Sequence, residues 1–404
     1  MKQLLEILYG NLDKKPILFL PIFFSLAFGI YYFSNLTPND WYKHYVYLAD
    51  SFIKGRIDVP QIPEFYQDVI NFNGKKFLPF GPIPAVFLIP LVAFFGTSLS
   101  EVRVSMVIGA VNVVLVWLIL SKLSLNSISR LLLTAGFAFG TVHFYAAITG
   151  TVWFFAHIMA VFFLLLAILE FFGKRRPVLL GFLTGFAFLS REPTLFASLF
   201  FLWPFIKEKQ FNKITAFLFG IIPAIGFLSF YNFARFGSIF ETGYGVVYNT
   251  YVNSGIKYSF MRTIVSESFP HFNQLDIRNI PLHLFTILLM WPNLSQSFPF
   301  FAPSSYGMSI FLTSPFLIYS IFARNYFVKI CWLSILAIAI PGFLFYAQGW
   351  VQFGYRFLLD FLPFLLVLTA LGFQKGSLKF KVILVLFSII VNFWGNWWAR
   401  THGW

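Results

Sequence analysis

Apolar positions along this chain fall in long unbroken runs separated by short polar turns. PILFLPIFFSLAFGIYYF (16–33), VWFFAHIMAVFFLLLAILEFF (152–172) and FKVILVLFSIIVNFWGNWW (380–398) approach or reach the roughly 20 residues that span a bilayer. The pattern predicts membrane helices near 16–33, 103–121, 131–149, 152–172, 177–191, 193–206, 214–233, 308–322, 329–347, 356–373 and 381–398. A further run, 79–97, carries Pro79, Pro82, Pro84 and Pro90. Proline removes backbone donors and kinks helices, so this run is predicted to be a juxtamembrane or re-entrant piece.

Lysine and arginine in short loops set orientation, and here they cluster at Lys2/Lys14/Lys15, Lys122/Arg130, Lys174/Arg175/Arg176, Lys207/Lys209/Lys213, Arg324/Lys329 and Lys375/Lys379/Lys381. Placing all of them in the cytoplasm threads the chain as eleven crossings with a cytoplasmic N-terminus and an external C-terminus. Every acid except Glu6, Asp13, Glu170 and Glu208 then falls on the external side. The fold class expected is an all-α polytopic membrane protein, one transmembrane domain over 1–404. It has a first external loop at 34–102, with amphipathic and re-entrant helices, and a second at 234–307.

Composition agrees: 58% of residues are hydrophobic, 22% aromatic and 11% charged, with a mean hydropathy of +0.77. Soluble domains carry roughly a quarter charged residues, so a set of water-soluble domains is excluded. The net charge of +14 sits in topogenic clusters and does not point to nucleic acid. The single cysteine, Cys331, excludes an intramolecular disulfide and a cysteine-clustered metal site. Acidic residues and Lys14-Lys15 precede the first apolar run, which is expected to be a retained helix and not a cleaved signal.

The candidate chemistry lies on the external side. Trp41, Tyr45, Leu48 and Phe52 recur at helical spacing, predicting an amphipathic helix on the outer surface over 41–53. Asp40 stands at its start, where Thr37-Pro38-Asn39-Asp40 also reads as a capping box. Asp68 precedes an Asn73-Gly74 turn and is either a solvated loop acid or a functional one. Lys75 and Lys76 follow, solvated or reaching toward phosphates. Arg191, between two apolar runs, costs about 2.5–3.5 kcal/mol at membrane depth and should face the protein interior or a wet cavity. Arg356 stands at the mouth of a helix with Asp360 one turn on as a structural partner. His157 is an intramembrane polar group that serves as a core histidine or a ligand. Together with Arg235, Tyr244 and Trp350 these residues suit a lipid-phosphate donor. Arginine pairs phosphate oxygens bidentately, aromatic faces stack on sugars, and a carboxylate can take a proton from an acceptor.

Five segments in order resemble the polytopic C-type (GT-C) glycosyltransferases that use polyprenyl-phosphate sugars, a family including protein O-mannosyltransferases and the lipid A aminoarabinose transferase. They are PNDWYKHYVYLADSFIKGRIDV, YQDVINFNGKKFLPFGPIPAVFLIP, LLGFLTGFAFLSREPTLF, YNFARFGSIFETGY and GWVQFGYRFLLDFLPFL, spanning about 40 to 365. The family's usual Pro-Pro is Gly81-Pro82-Ile83-Pro84 here, and Phe77 replaces its Tyr. The resemblance implies sugar transfer with inversion from a polyprenyl monophosphate to a lipid, protein or glycan acceptor. It implies Asp40 as base, Asp68 as second base or substrate ligand, and Arg191 and Arg356 stabilising the departing phosphate. Some relatives need a divalent metal; the scarcity of clustered external carboxylates favours no metal and no other cofactor. The plasma membrane is the simplest address, with the site outside. A transporter or flippase of lipid-linked sugars, or a polysaccharide ligase or polymerase, is the rival reading. A transporter would place its charges on several facing helices, whereas these gather at one face.

Overall fold

A computed structural model describes residues 16–253, 273–296, 298–347, 349 and 351–403. The chain opens with α1 (Pro16–Ser34), then the surface helix α2 (His44–Ile53), the hairpin β1 (Ile70–Phe72) and β2 (Lys75–Phe77), and α3 (Ile83–Phe95). Next come α4 (Glu101–Leu120), α5 (Ser127–Phe139), α6 (Val142–Thr149), α7 (Val152–Phe171), α8 (Pro177–Ser190), α9 (Ser198–Lys207) and α10 (Phe211–Phe236). The second half holds α11 (Tyr244–Asn253), α12 (Ile280–Leu289), the short hairpin β3 (Asn293–Leu294) and β4 (Phe301–Ala302), and α13 (Ile310–Thr313). It closes with α14 (Val328–Leu344), α15 (Leu362–Gly372) and α16 (Leu378–Thr401).

Among the described residues five helices, α1, α4, α7, α10 and α16, are long and apolar enough to cross a bilayer, or six if α5 and α6, bent by 47°, form one span. The eleven crossings expected from the apolar runs are therefore not all present as spanning helices. Pro193, Pro315 and Pro363 break three of the remaining runs into 3-10 turns and short α segments. At 1.5 Å per residue α15 is about 17 Å long, well short of a hydrocarbon core of about 30 Å. Continuous hydropathy survives such breaks, whereas helical hydrogen bonding does not.

α7 runs through the centre, buried along most of its length, whereas α1, α10 and α16 expose apolar faces such as Phe33, Phe219 and Ile390. α8 and α10 meet backbone to backbone at small residues, as close helix pairs in membranes do. A Cβ on Gly181 would lie 2.2 Å from the Phe217 carbonyl oxygen, and one on Gly220 would lie 2.2 Å from that of Val178. The bend between α5 and α6 is held by a buried polar trio. Tyr31 donates to the Ala138 carbonyl (2.9 Å), and His143 lies between Tyr31 (3.4 Å) and Asn112 (3.2 Å).

The turns Ser121–Asn126, Phe172–Arg176, Glu208–Gln210, Ala323–Phe327 and Phe373–Ser377, with the helix ends they join, carry five of the basic clusters, and Lys2, Lys14 and Lys15 lie outside the described residues. They lie at the helix ends opposite α2, the first hairpin and the starts of α4 and α7. The Asn73-Gly74 turn forms as the sequence predicts: both residues have positive φ (48° and 72°) and pair Phe72 with Lys75, the two-residue geometry favoured by Asn-Gly. The proline-rich run is a helix, α3, lying against α2. Gly81 lets its start pass the end of α8, since a Cβ there would lie 2.2 Å from the Leu189 carbonyl oxygen.

Candidate active site

The first loop is fixed over the bundle mouth by its own polar groups. Arg103, on the first turn of α4, donates to the carbonyls of Asn35 (3.2 Å) and Leu36 (2.5 Å), and its guanidinium covers the Tyr32 ring. This clamp on the exit of α1 brings Asp40 to the start of α4, where Oδ1 accepts from Ser100 Oγ (2.8 Å) and the Val102 amide (3.4 Å). The capping geometry expected for the surface helix is thus redirected. α2 begins only at His44, and its Tyr45 and Val46 amides are accepted by the buried Glu101 (3.0 and 3.3 Å).

Asp68 sits in the left-handed region (φ 58°) and accepts from Trp153 Nε1 on α7 (2.7 Å). Short polar side chains tolerate that conformation. Asp68 lies within electrostatic reach of Arg356, Tyr244, Tyr346 and His44. Asp40 acts instead on Glu101. The two acids named in the sequence therefore occupy different parts of the loop.

α8 ends at Ser190, and Arg191 leaves it with extended backbone ahead of Pro193. Its Nε and Nη2 donate to the two oxygens of Asp360 (3.2 and 3.0 Å), a bidentate pair. His157, from α7, meets the same carboxylate through Nδ1 (2.8 Å). A carboxylate only accepts, so Nδ1 carries the proton. Nε2 is buried without a partner among the described residues. Asp360 thus joins the short turn 356–360 to α7 and α8, and its ion-pair partner is Arg191 and not Arg356 as the sequence suggested.

Arg356 stands apart from that pair. Among the described residues no carboxylate forms an ion pair with it, its Nε is buried without a hydrogen-bond partner, and its guanidinium lies over Phe154 and Phe357 (5.5 and 5.6 Å). Arg191, Asp68 and Tyr244 are near enough to act on its charge. Tyr244 opens α11 and packs against Phe80 and Phe345. Next door, His283 on α12 contacts the Tyr355 hydroxyl (2.8 Å) and the Phe345 carbonyl (2.8 Å). Asp68, His157, Arg191, Tyr244 and Arg356 are therefore brought together.

Two other predicted residues are placed elsewhere. Lys76 pairs with Glu64, itself 88% exposed. Arg235 is buried and bonded within the protein, to the carbonyls of Leu78, Tyr231 and Thr242 and to Asn232 Oδ1, with its guanidinium on the Tyr231 ring. It clamps the first loop to the end of α10. Trp350 lies outside the described residues. Glu101, Trp153, Asp360 and His283 were not singled out as site residues. For Asp360 the signal was its place one turn beyond Arg356; Trp153 lies in a predicted membrane helix, and Glu101 and His283 lie in the two predicted external loops.

Beside the site an apolar groove of about 250 Å³ opens between Leu195, Leu199 and Leu202 on one side and Phe217, Ile221 and Ile225 on the other. It begins within a turn of Arg191. Among the described residues no three His, Cys, Asp or Glu side chains are grouped to hold a metal ion.

The sequence matches no protein-family profile and no curated protein. Among solved structures the fold matches the apo oligosaccharyltransferase of Archaeoglobus fulgidus, with a TM-score of 0.52 at 12% identity. The match covers 97% of this chain and 59% of that one, so this chain spans less than two thirds of the archaeal protein's length. The likeness is one of fold: this chain shares the helical membrane fold of that oligosaccharyltransferase, in keeping with the fold the five sequence segments implied.

Proposed function

We propose that this protein is a membrane glycosyltransferase that moves a sugar from a polyprenyl-phosphate donor to an acceptor on the extracytoplasmic side, with inversion. The observation that carries the reading is Arg356: a guanidinium without an ion-pair partner among the described residues, held on aromatic faces beside Asp68 and Tyr244. Asp360 already balances Arg191, which leaves Arg356 as the charge for a phosphate. The adjoining groove matches an isoprenoid chain in polarity. The basic turns at the opposite helix ends support a cytoplasmic face there and an external site in the plasma membrane.

In this reading Asp40 takes the proton from the acceptor hydroxyl or amine as its oxygen or nitrogen bonds to the anomeric carbon. The bond from that carbon to the phosphate oxygen breaks on the opposite face. Polyprenyl phosphate leaves with the electron pair, its charge met by Arg356 and by Arg191 held on Asp360. Asp68 serves as a second base or holds a sugar hydroxyl. The acceptor is a lipid, a protein or a glycan, and the reaction is written without a metal ion or other cofactor.

The test is release of polyprenyl phosphate by the purified protein from a panel of polyprenyl-phosphate sugars, comparing the wild type with Asp40→Asn and Asp68→Asn. Loss of turnover in the folded, donor-binding Asp40→Asn protein is the expected result. Full turnover there, with loss in Asp68→Asn, moves the base to Asp68. Donor crossing the bilayer intact, with no phosphate released, overturns the transferase reading in favour of transport.

A further inference from the structure

From Asn279 to Ala323 the chain contains no Asp, Glu, Lys or Arg. The last charges before this stretch, Asp276 and Arg278, pair with each other (2.7 Å). The stretch opens with α12, and beyond it the chain turns back on itself as the β3–β4 hairpin. There the apolar side chains face outward: Leu294 is 83% and Phe298 70% exposed, and Leu289, Trp291, Phe300 and Phe301 are exposed as well. Such a contiguous apolar surface marks an interaction site.

Its surroundings identify the partner. The Phe298 ring meets Trp397 near the end of α16 (6.3 Å). Trp397 closes a stripe of exposed residues on that spanning helix, Ile383, Leu386, Ile390 and Phe393, at intervals of three and four. The hairpin therefore continues the lipid-facing side of α16 at the level where tryptophan belts mark the membrane–water interface. Its backbone is also prepared for a shallow apolar environment, where unpaired peptide groups are costly. Asn293 pairs with Ala302 and Leu294 with Phe301, and the Ser295 amide donates to the Phe300 carbonyl (2.8 Å).

We propose that the β3–β4 hairpin is a membrane-seated finger, inserted among the lipids of the leaflet on the site's side. It anchors the second loop at the interface, and α12 transmits that position to the site, because His283 bonds both Tyr355 and the Phe345 carbonyl. The partner of this surface is the bilayer itself, independently of which reaction the site performs.

The single cysteine makes the test direct. In a full-length Cys331→Ala background, single cysteines at Leu294, Phe298 and Phe300 are nitroxide-labelled and the protein is placed in phosphatidylcholine vesicles. Power saturation then compares collisions with oxygen, which partitions into lipid, and with a water-soluble nickel chelate. Ile390→Cys serves as the lipid reference and Glu64→Cys as the water reference. Labels at 294 and 300 that follow Ile390 in favouring oxygen support the finger. Labels that follow Glu64 overturn it. Labels shielded from both reagents overturn it too, because a second protein surface then covers the hairpin. A label at Phe298 that disturbs its contact with Trp397 leaves the Leu294 and Phe300 readings decisive.

Discussion

Asp40 and Glu101 cap each other's helices. Asp40, on the approach to α2, accepts from Ser100 and Val102 at the start of α4, while Glu101, the first residue of α4, accepts from Tyr45 and Val46 at the start of α2. The proposed base is thus held by the same contacts that lock the first loop onto the bundle. Asp40→Asn keeps an oxygen acceptor and removes the charge, so turnover falls while thermal stability stays near wild type. Asp40→Ala also loses the cap, costing about 1 kcal/mol more. Glu101→Ala leaves the buried Tyr45 amide without an acceptor and Val46 with only its bond to the Lys43 carbonyl (3.2 Å), at about 1–3 kcal/mol. Amide exchange at Tyr45 and Val46 should accelerate in that variant alone. Thermal shift in detergent beside the release assay separates the outcomes.

The two arginines of the site should respond in opposite ways. Removing Asp360 strands the Arg191 guanidinium and the His157 Nδ1–H, and breaking a buried pair from one side costs about 3–5 kcal/mol. Asp360→Ala is expected to be poorly folded. Arg356 has no such partner among the described residues, so Arg356→Gln should fold normally and lose about 10²–10³-fold in turnover, the scale for deleting one donor to a developing negative charge. Equal stability losses in the two variants would count against the division of labour between the arginines.

That division shows where the sequence was informative. The acid after the first helix, the Asn-Gly turn and an arginine between two apolar runs were all legible, because each rests on local chemistry or on the cost of charge at membrane depth. The partner of Arg191 was not. Glu192 adjoins it in sequence, but neighbouring residues on a helix point apart, and the partner is Asp360, far along the chain. Arg235 misled for a related reason: an arginine at a helix end looks the same whether it meets a phosphate or, as here, the carbonyls of Leu78, Tyr231 and Thr242. Eleven apolar runs correspond to five or six continuous spanning helices among the described residues, because hydropathy does not register breaks such as Pro193, Pro315 and Pro363.

His44 gives the fold a pH dependence of definite sign. Its ring is buried, with Nδ1 against the Tyr42 carbonyl (3.0 Å) and Nε2 against that of Gln67 (2.8 Å). Burial holds its pKa below the ordinary 6.5, opposed by those two carbonyls and the Asp68 carboxylate. The unfolded chain therefore takes up the proton first as pH falls. Stability is complete above a pH of about 6.5 and declines below it. Going from about pH 7.5 to about pH 5.5, the melting temperature of the wild type should drop further than that of His44→Gln. Parallel curves would remove His44 as a source of the dependence.

The contact between α8 and α10 predicts that a methyl group can disable the site from a distance. Gly181 and Gly220 each face a carbonyl oxygen of the partner helix, at 2.2 Å from where a Cβ would stand, and Gly185 faces the Ala224 methyl at 2.8 Å. Backbone cannot yield as a flexible side chain does, so Gly181→Ala must push the helices apart. Overpacking of this kind costs about 1–3 kcal/mol. Because α8 ends one residue before Arg191, the same displacement should loosen the Arg191–Asp360 pair and reduce turnover more than stability. Gly226 on α10 has nothing within 4 Å of a Cβ, and Gly226→Ala should be neutral or gain the roughly 0.5–1 kcal/mol by which alanine exceeds glycine in a helix. Thermal shift and donor turnover for the two variants check this. Equal behaviour of Gly181→Ala and Gly226→Ala would mean that the α8–α10 contact is looser than these distances require.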